Sequence, residues 1–578
     1  MPDVSARKFA EVISFAGVTL RAFSGANGEK VFRVVDPHRP LNSITARKIA
    51  LVGMRLGDEG KGRAVPEYMK ILTDATGLVD PVAMIVKVNG GANSGHTVYD
   101  KWGKKLALNL IPAGVVDLSI KYLALGADVL ADPMKLRWEG LPLERAGFNI
   151  LPRLRIDERT MVSDITHRIR DLAREATRKD PIGSTGRGIA PGYEDRADKS
   201  HIRFSIFRGE YLRFAELMHE RIAKCISRVR DEYGLSPQQW GKIFFNDPTP
   251  GSAENPGLAQ REQRANQQSI ESGMFEAAEF DFRRYKGPEP FTLDSTRIID
   301  DCWKAGQAFV NNIVNVGELT LNILDRSPQY IIYEHGQAIG LDVVHGDTPN
   351  TTSSNTTASN VPYSGRTRVT EGIHVVLVAK AYETAVGSHQ LLAPMGEEHP
   401  LAKILMPQEK GVTTGRQRLV SWPCAVHMGD ALRWHGAHDI VINKLDQLTL
   451  SGDWQGPLKI CIGYRTPDGT ELNHLPPTYP DKKNLKPIYR ELPGWSEDIS
   501  DIREFNNLPI NAQHYIAALY ASCLSIANEG LVSCSTMQFP RIQFIGVGPK
   551  QEQVVRGIPF PERLLELGSL TTRPPQLF

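Results

Sequence analysis

A glycine-rich segment, Gly53-Met-Arg-Leu-Gly57-Asp58-Glu59-Gly60-Lys61-Gly62, follows a short apolar run at Ile49–Val52. Glycines at such a place let backbone N–H groups converge on an anion. A helix starting behind them adds the positive end of its dipole. Lys61 supplies a point charge suited to terminal phosphates. The spacing is not that of the standard P-loop, which requires glycine at Arg55 and Ser or Thr at Gly62. Asp58 is the unusual component. A carboxylate beside bound phosphate is repelled unless it holds a metal or takes part in the chemistry. It is therefore a candidate Mg²⁺ ligand or base, with a solvated turn residue as the plain alternative.

A second constellation is Asn443-Lys444-Leu445-Asp446, at the end of the apolar run Asp439–Asn443. A carboxylate placed like Asp446 accepts two hydrogen bonds, from guanine N1–H and the 2-amino group. Adenine lacks that donor pair. The Lys444 stem can lie across the base plane. The pattern is short, and an exposed strand-to-loop turn is the competing reading. Its place at the carboxyl end of a strand, where α/β folds bind ligands, favours the nucleotide reading.

These loops need elements to hold them. Ile49–Val52, Met84–Val88, Leu106–Ile111 and Tyr122–Leu125 read as strands, as do Tyr330–Tyr333, Val375–Val378, Asp439–Asn443, Lys459–Gly463 and Gln543–Ile545. Helical periodicity lies between them, for example at Val65–Thr73 and Asp164–Arg174. The alternation predicts an α/β fold, with a large, mostly parallel central sheet flanked by helices. Lys+Arg is 68 and Asp+Glu is 66, so the net charge of +2 gives no reason to expect nucleic acid or an acidic membrane as partner. Any anion site must be local. The six cysteines form no CxxC pair and are too sparse for a disulfide scaffold, which fits reduced thiols in the cytoplasm. No apolar run approaches 18 residues, so no membrane span is expected. Phe9–Leu20 reads as a strand or helix of the folded protein.

The motifs, taken in order, resemble the adenylosuccinate synthetase family. They are GDEGKG (57–62), Asn93-Ser-Gly-His96-Thr97, STGRGIAPGYED (184–195), TSSNTT (352–357), GVTTGRQR (411–418), NKLD (443–446), LPGW (492–495) and GVGP (546–549). Each is modest alone, and the ordered set is specific. The resemblance implies a P-loop-like GTP-binding fold and a GTP-dependent ligase. Such a ligase joins L-aspartate to C6 of IMP through a 6-phosphoryl intermediate, with Mg²⁺. It implies Asp58 as the base at purine N1 and a Mg²⁺ contact, with Gly95 as a second ligand through its carbonyl. His96 is implied as the acid near the transferring phosphoryl. Gly57, Gly60, Lys61, Gly62 and Thr97 match the GTP phosphate side. Lys444, Asp446 and Gly548 match the base side. Asn93, Thr185, Thr352, Gln337 and Arg416 match the purine-nucleotide site, and Thr413, Thr414, Arg416 and Arg418 the aspartate loop. Arginine forks suit a dicarboxylate. A homodimer is implied as well.

The chain departs from the family pattern in places. Lys199 stands where an arginine from the neighbouring subunit is expected at the nucleotide phosphate, and lysine keeps the charge without the fork. Glu334-His335-Gly336-Gln337-Ala338 replaces E-G-A-Q-G, and Ala358-Ser-Asn-Val follows TSSNTT where an AGG-type run is usual. Residues 1–47 read as an N-terminal extension. Residues 48–578 read as one catalytic domain, interrupted at about 245–292 by a polar, Pro- and Gln-rich insertion. Two rival functions follow. One is the same chemistry on dGMP or GMP, as in the viral branch that makes 2-aminoadenylosuccinate; Asp58 favours IMP, because known members of that branch carry serine there. The other is a catalytically retired GTP-binding homologue, against which the retention of Asp58, His96, Arg416 and Arg418 together argues.

Overall fold

The computed structural model describes residues 44, 46–100, 103, 105–244, 258–386, 388–409, 417–474, 482–532 and 536–570, and places 9–15, 18–24 and 30–34 as backbone strands. Those three, Phe9–Phe15, Val18–Ser24 and Lys30–Val34, form an antiparallel sheet of their own within the N-terminal extension.

The central sheet has ten strands. In chain order they are β1 (Lys48–Gly53), β2 (Val82–Lys87), β3 (Tyr122–Leu125), β4 (Leu154–Asp157), β5 (Ile313–Val314), β6 (Tyr330–Ala338), β7 (His374–Lys380), β8 (Asp439–Asn443), β9 (Arg541–Gly546) and β10 (Val554–Val555). Their spatial order is β5-β4-β3-β2-β6-β1-β7-β8-β9-β10, all parallel except the β9–β10 pair. β1 and β6 are buried along almost their whole length, as a sheet covered on both faces requires. The alternation of side chains divides the core. Ile49 and Leu51 face one layer with Tyr68 and Leu72 of helix α1 (Lys61–Thr76). Ala50 and Val52 face the other, which also holds Leu432 and Tyr515 from helices on the opposite side. The α/β architecture expected from the sequence is thus what the chain adopts.

Two expected strands lie elsewhere. Lys105–Leu108 pairs with His96–Tyr99 in a separate hairpin, and Leu458–Arg465 belongs to a three-stranded antiparallel sheet. Both have apolar runs like central strands, but each is joined to its partner by a short antiparallel connection instead of a helical crossover. The short strands Leu154–Asp157 and Ile313–Val314 gave no periodic signal in the sequence. In the polar insertion, Leu258–Ala265 and Gln267–Glu271 are helices, followed by short 3-10 turns. Among the described residues no helix is long and apolar enough to cross a membrane.

Because the strands are parallel, their carboxyl ends share one edge: Gly53 pairs with Ala338 and Val378, and Lys380 with Asn443. The loops after β1, β2, β6, β7, β8 and β9 all open there.

Candidate active site

The loop after β1 is shaped by backbone that only some residues tolerate. Gly57, Asp58 and Gly60 have φ of 94°, 59° and 88°. A Cβ on Gly60 would stand 2.8 Å from Asn443 Nδ2, so the glycine is required by the close approach of β8. Asn443 in turn donates from Nδ2 to the Glu59 carbonyl at 2.7 Å. Inside the turn, Glu59 accepts from Gly57 N at 2.7 Å and Arg55 N at 3.2 Å, and pairs with Lys61 at 3.1 Å. Burial would raise the Glu59 carboxyl, but Lys61 and these N–H donors outweigh it and hold it below its usual range. Gly60 caps α1 without a side-chain acceptor. The first-turn N–H groups therefore face the loop, as an anion cradle needs.

Asp58 points the other way, into a cavity of about 280 Å³. There it shares the walls with Asn93, Gly95, Thr185, Gln337, Thr352 and Arg418. Six stretches separated by up to 360 residues of chain meet at this one space. Gln337 accepts from Asn89 at 2.9 Å and donates to Ser94 at 2.7 Å, so each end of its amide is oriented and keeps one valence open. The Thr352 hydroxyl is buried without a hydrogen-bond partner among the described residues. Ser184 and Gly188 hydrogen-bond to Asp171, and the backbone of Gly183 and Ser184 to Glu175. These contacts fasten the Thr185 loop to helix α2 (Ile165–Thr177).

Arg418 donates to Asp58 and, at 2.9 Å, to Glu409. Glu409 has no exposed surface and also receives Lys444 and, at 2.6 Å, the Tyr382 hydroxyl; Lys380 lies 3.7 Å away. Burial alone would raise the Glu409 carboxyl. Lys380, Lys444 and the two hydrogen bonds reverse that and set it at about 2. Burial lowers Lys380 to about 8, although Glu409 opposes the shift.

Lys444 and Asp446 follow β8, two strands from β1. Lys444 has φ of 63° and turns the chain so that Asp446 faces the Arg63 side of the loop. One Asp446 oxygen accepts from Gln447 at 2.6 Å, and the other is buried without a hydrogen-bond partner among the described residues. Arg63 donates to the Gly548 carbonyl, which ties the start of α1 to the loop after β9.

His96 stands apart from the cavity walls, 3.2 Å from the Ser94 carbonyl, 3.1 Å from that of Ile111 and 3.6 Å from Glu334. Burial lowers its pKa despite Glu334, so the ring is neutral at pH 7 and one of the two carbonyls goes without an N–H. Thr97 follows it on the same hairpin strand and backs closely onto Gly62. Lys199 is exposed, with φ of 62°, and does not line the cavity of its own chain. Thr413, Thr414 and Arg416 lie outside the described residues. Sequence reading missed Glu409, Lys380, Tyr382 and Arg63. Lys380 has no motif around it, and Glu409 stands just before GVTTGRQR, outside the motif itself. Arg63 is one residue beyond GDEGKG and could have been found there.

A carboxylate and a glycine-rich helix start at the end of β1, with the buried carboxylate of Asp446 two strands over, form a site suited to a phosphorylated ligand. The sequence model of the adenylosuccinate synthetase family matches residues 50–243 and 257–555. The synthetase of Acidothermus cellulolyticus is 30% identical over 514 residues, covering 88% of this chain and 98% of that one. That of Marinobacter nauticus is 31% identical over 476 residues, covering 82% and 93%. The structure of fully ligated adenylosuccinate synthetase from Plasmodium falciparum superposes with a TM-score of 0.67 at 23% identity, covering 88% of this chain and 99% of that one. The chain belongs to the adenylosuccinate synthetase family, and it is a GTP-dependent ligase.

Proposed function

We propose that the enzyme joins L-aspartate to C6 of IMP, with GTP converted to GDP and phosphate. The observation that carries this reading is the meeting of Asp58, Gln337, Asn93, Thr185, Thr352 and Arg418 around one cavity, with Asp446 following β8 at the same carboxyl edge of the sheet. In the proposed first step Asp58 takes the proton from N1, and O6 attacks the γ-phosphorus as GDP leaves. In the second, the aspartate amine adds at C6 and phosphate departs with the O6 oxygen. Gln337 orients the base, and Asn93, Thr185 and Thr352 hold the nucleotide phosphate. The carboxylates of aspartate draw Arg418 away from Asp58, which frees the base. His96 would serve the transferring phosphoryl group as a donor only after its N–H leaves the backbone carbonyl it faces, so ligand binding must reorient the ring.

Asp58 through its carboxylate and Gly95 through its carbonyl would supply oxygen ligands at the cavity. Such a pair suits Mg²⁺, which takes one or two protein ligands and the rest from phosphates and water. Bound there, the ion would neutralise charge on the phosphates. Among the described residues no cluster of three His, Cys, Asp or Glu side chains forms a self-sufficient metal cage.

The test is an assay of the purified protein with GTP, Mg²⁺ and aspartate, with IMP, GMP and dGMP supplied separately, following succinyl-purine absorbance. Product from IMP supports the reading. Product from dGMP or GMP alone transfers the chemistry to those substrates, and no product from any of the three sinks the ligase assignment on these nucleotides.

A further inference from the structure

We propose that Arg178 reads the phosphate of the mononucleotide from within the same protomer. This rests on the proposed assignment of the cavity as the mononucleotide site. A phosphate dianion is best held by a guanidinium fork together with hydroxyl and amide donors. Among the described residues three arginines line the cavity: Arg174, Arg178 and Arg418. Arg418 is occupied by Asp58 and Glu409 at the reaction end. Arg174 pairs with Glu194 and donates to the Tyr233 hydroxyl at 2.7 Å. Arg178 is half-buried, and among the described residues its guanidinium has no hydrogen-bond or ion-pair partner.

Its position follows from the end of α2. Asp171 and Glu175 stand at i and i+4 on one face of that helix, and Arg178 is its C-cap, where the chain leaves the helix in an extended conformation. The first two are taken by the Gly183–Gly188 loop. Asp171 accepts from Ser184 Oγ at 2.6 Å and Gly188 N at 2.9 Å, and Glu175 from Gly183 N at 2.6 Å and Ser184 N at 3.1 Å. The two acids are thereby satisfied by the loop that carries Thr185, and Arg178, the C-cap of the same helix, lines the cavity beside them. Thr352, with its unpartnered hydroxyl, and Asn93 line that cavity too. Lys199, the cation expected from the sequence, lies outside the cavity of its own chain. A basic residue just past a helix end also interacts with the helix dipole. That role would change stability and leave discrimination between a nucleotide and its nucleoside untouched.

The experiment compares the full-length wild type with Arg178→Ala, Arg178→Lys and Lys199→Ala. It measures KM and kcat for IMP, and binding of IMP and inosine by calorimetry or competition. Arg178→Ala is expected to weaken IMP about tenfold to a hundredfold in KM and binding, with kcat and inosine binding little changed. Arg178→Lys should lose less. If the alanine variant does not fold, the lysine variant carries the comparison, with IMP weakened at least about threefold and inosine unchanged. IMP binding within about twofold of wild type, or an equal loss for inosine, overturns the proposal. So does a loss in Lys199→Ala with none in Arg178→Ala, which would give the contact to the neighbouring copy. A wild type inactive with all three nucleotides would instead overturn the underlying function.

Discussion

Glu409→Gln removes one negative charge and almost no volume. In the folded protein that charge is fully buried and faces Arg418, Lys444 and Lys380, so the variant leaves three cations with one acceptor fewer. Two routes give the cost. Removing one partner of a buried ion pair costs about 3–5 kcal/mol. Independently, the carboxyl is held at about 2 against an ordinary value of 4.5. That difference, at about 1.36 kcal/mol per unit, corresponds to about 3.4 kcal/mol at pH 7. The sign is fixed by the depressed value: the stabilisation is complete above pH 4.5 and is lost as pH falls through about 2. Near pH 3 it should have shrunk to about 1.4 kcal/mol. Denaturant unfolding followed by tryptophan fluorescence, run on both proteins at several pH values, reads the gap. Lys444 also loses its anchor, so the KM for GTP should rise in the same variant. A gap below about 1 kcal/mol at pH 7, or one that does not narrow with acid, would refute the reasoning.

Asp58→Ala should abolish succinyl-nucleotide formation while GTP binding stays measurable by calorimetry, and surviving turnover would show that the base is another group. Asp446→Asn should raise the KM for GTP about tenfold to a hundredfold, because an amide cannot accept both guanine N–H donors; competition with XTP should favour the variant, and equal GTP use by both proteins would count against the assignment. His335 is buried between the carbonyls of Leu51 and Thr357, at 3.3 and 2.9 Å, and burial lowers it to about 4. The native state then binds fewer protons than the unfolded one, so stability present above pH 6.5 should fall by about 3 kcal/mol on acidification to pH 4. His335→Gln should flatten that part of the pH profile of denaturation, and parallel profiles for the two proteins would contradict it.

What the sequence disclosed follows from how far apart the partners lie. Asp58, Lys61, Lys444 and Asp446 announce themselves because each loop carries its own glycine or turn chemistry within a few residues. The strands β1, β6, β7 and β8 were visible because burial on both faces leaves continuous apolar runs. Glu409 was not visible: its partners Tyr382, Lys444 and Arg418 come from different loops, and nothing in its neighbours marks it as buried. Leu154–Asp157 was missed because a four-residue strand containing Arg and Asp has no apolar period. Arg178 has no motif around it; only the fold brings it, at the end of the helix, to the cavity that Asp171 and Glu175 also line. The Glu334–Ala338 departure was seen in the sequence, but the role of His335 as a buried bridge between β1 and the 352–357 loop needed the sheet order.

The sheet order also bears on how this chain is made. β1 has two neighbours, β6 and β7, and both follow it by about 280 residues or more. At roughly 5–20 residues per second, a ribosome takes on the order of tens of seconds to deliver either one. Through that interval a strand with no exposed residue in the finished protein is left with both edges unpaired. Such a nascent chain has a built-in need for protection from aggregation, by a chaperone or by transient pairing of β1 with β2.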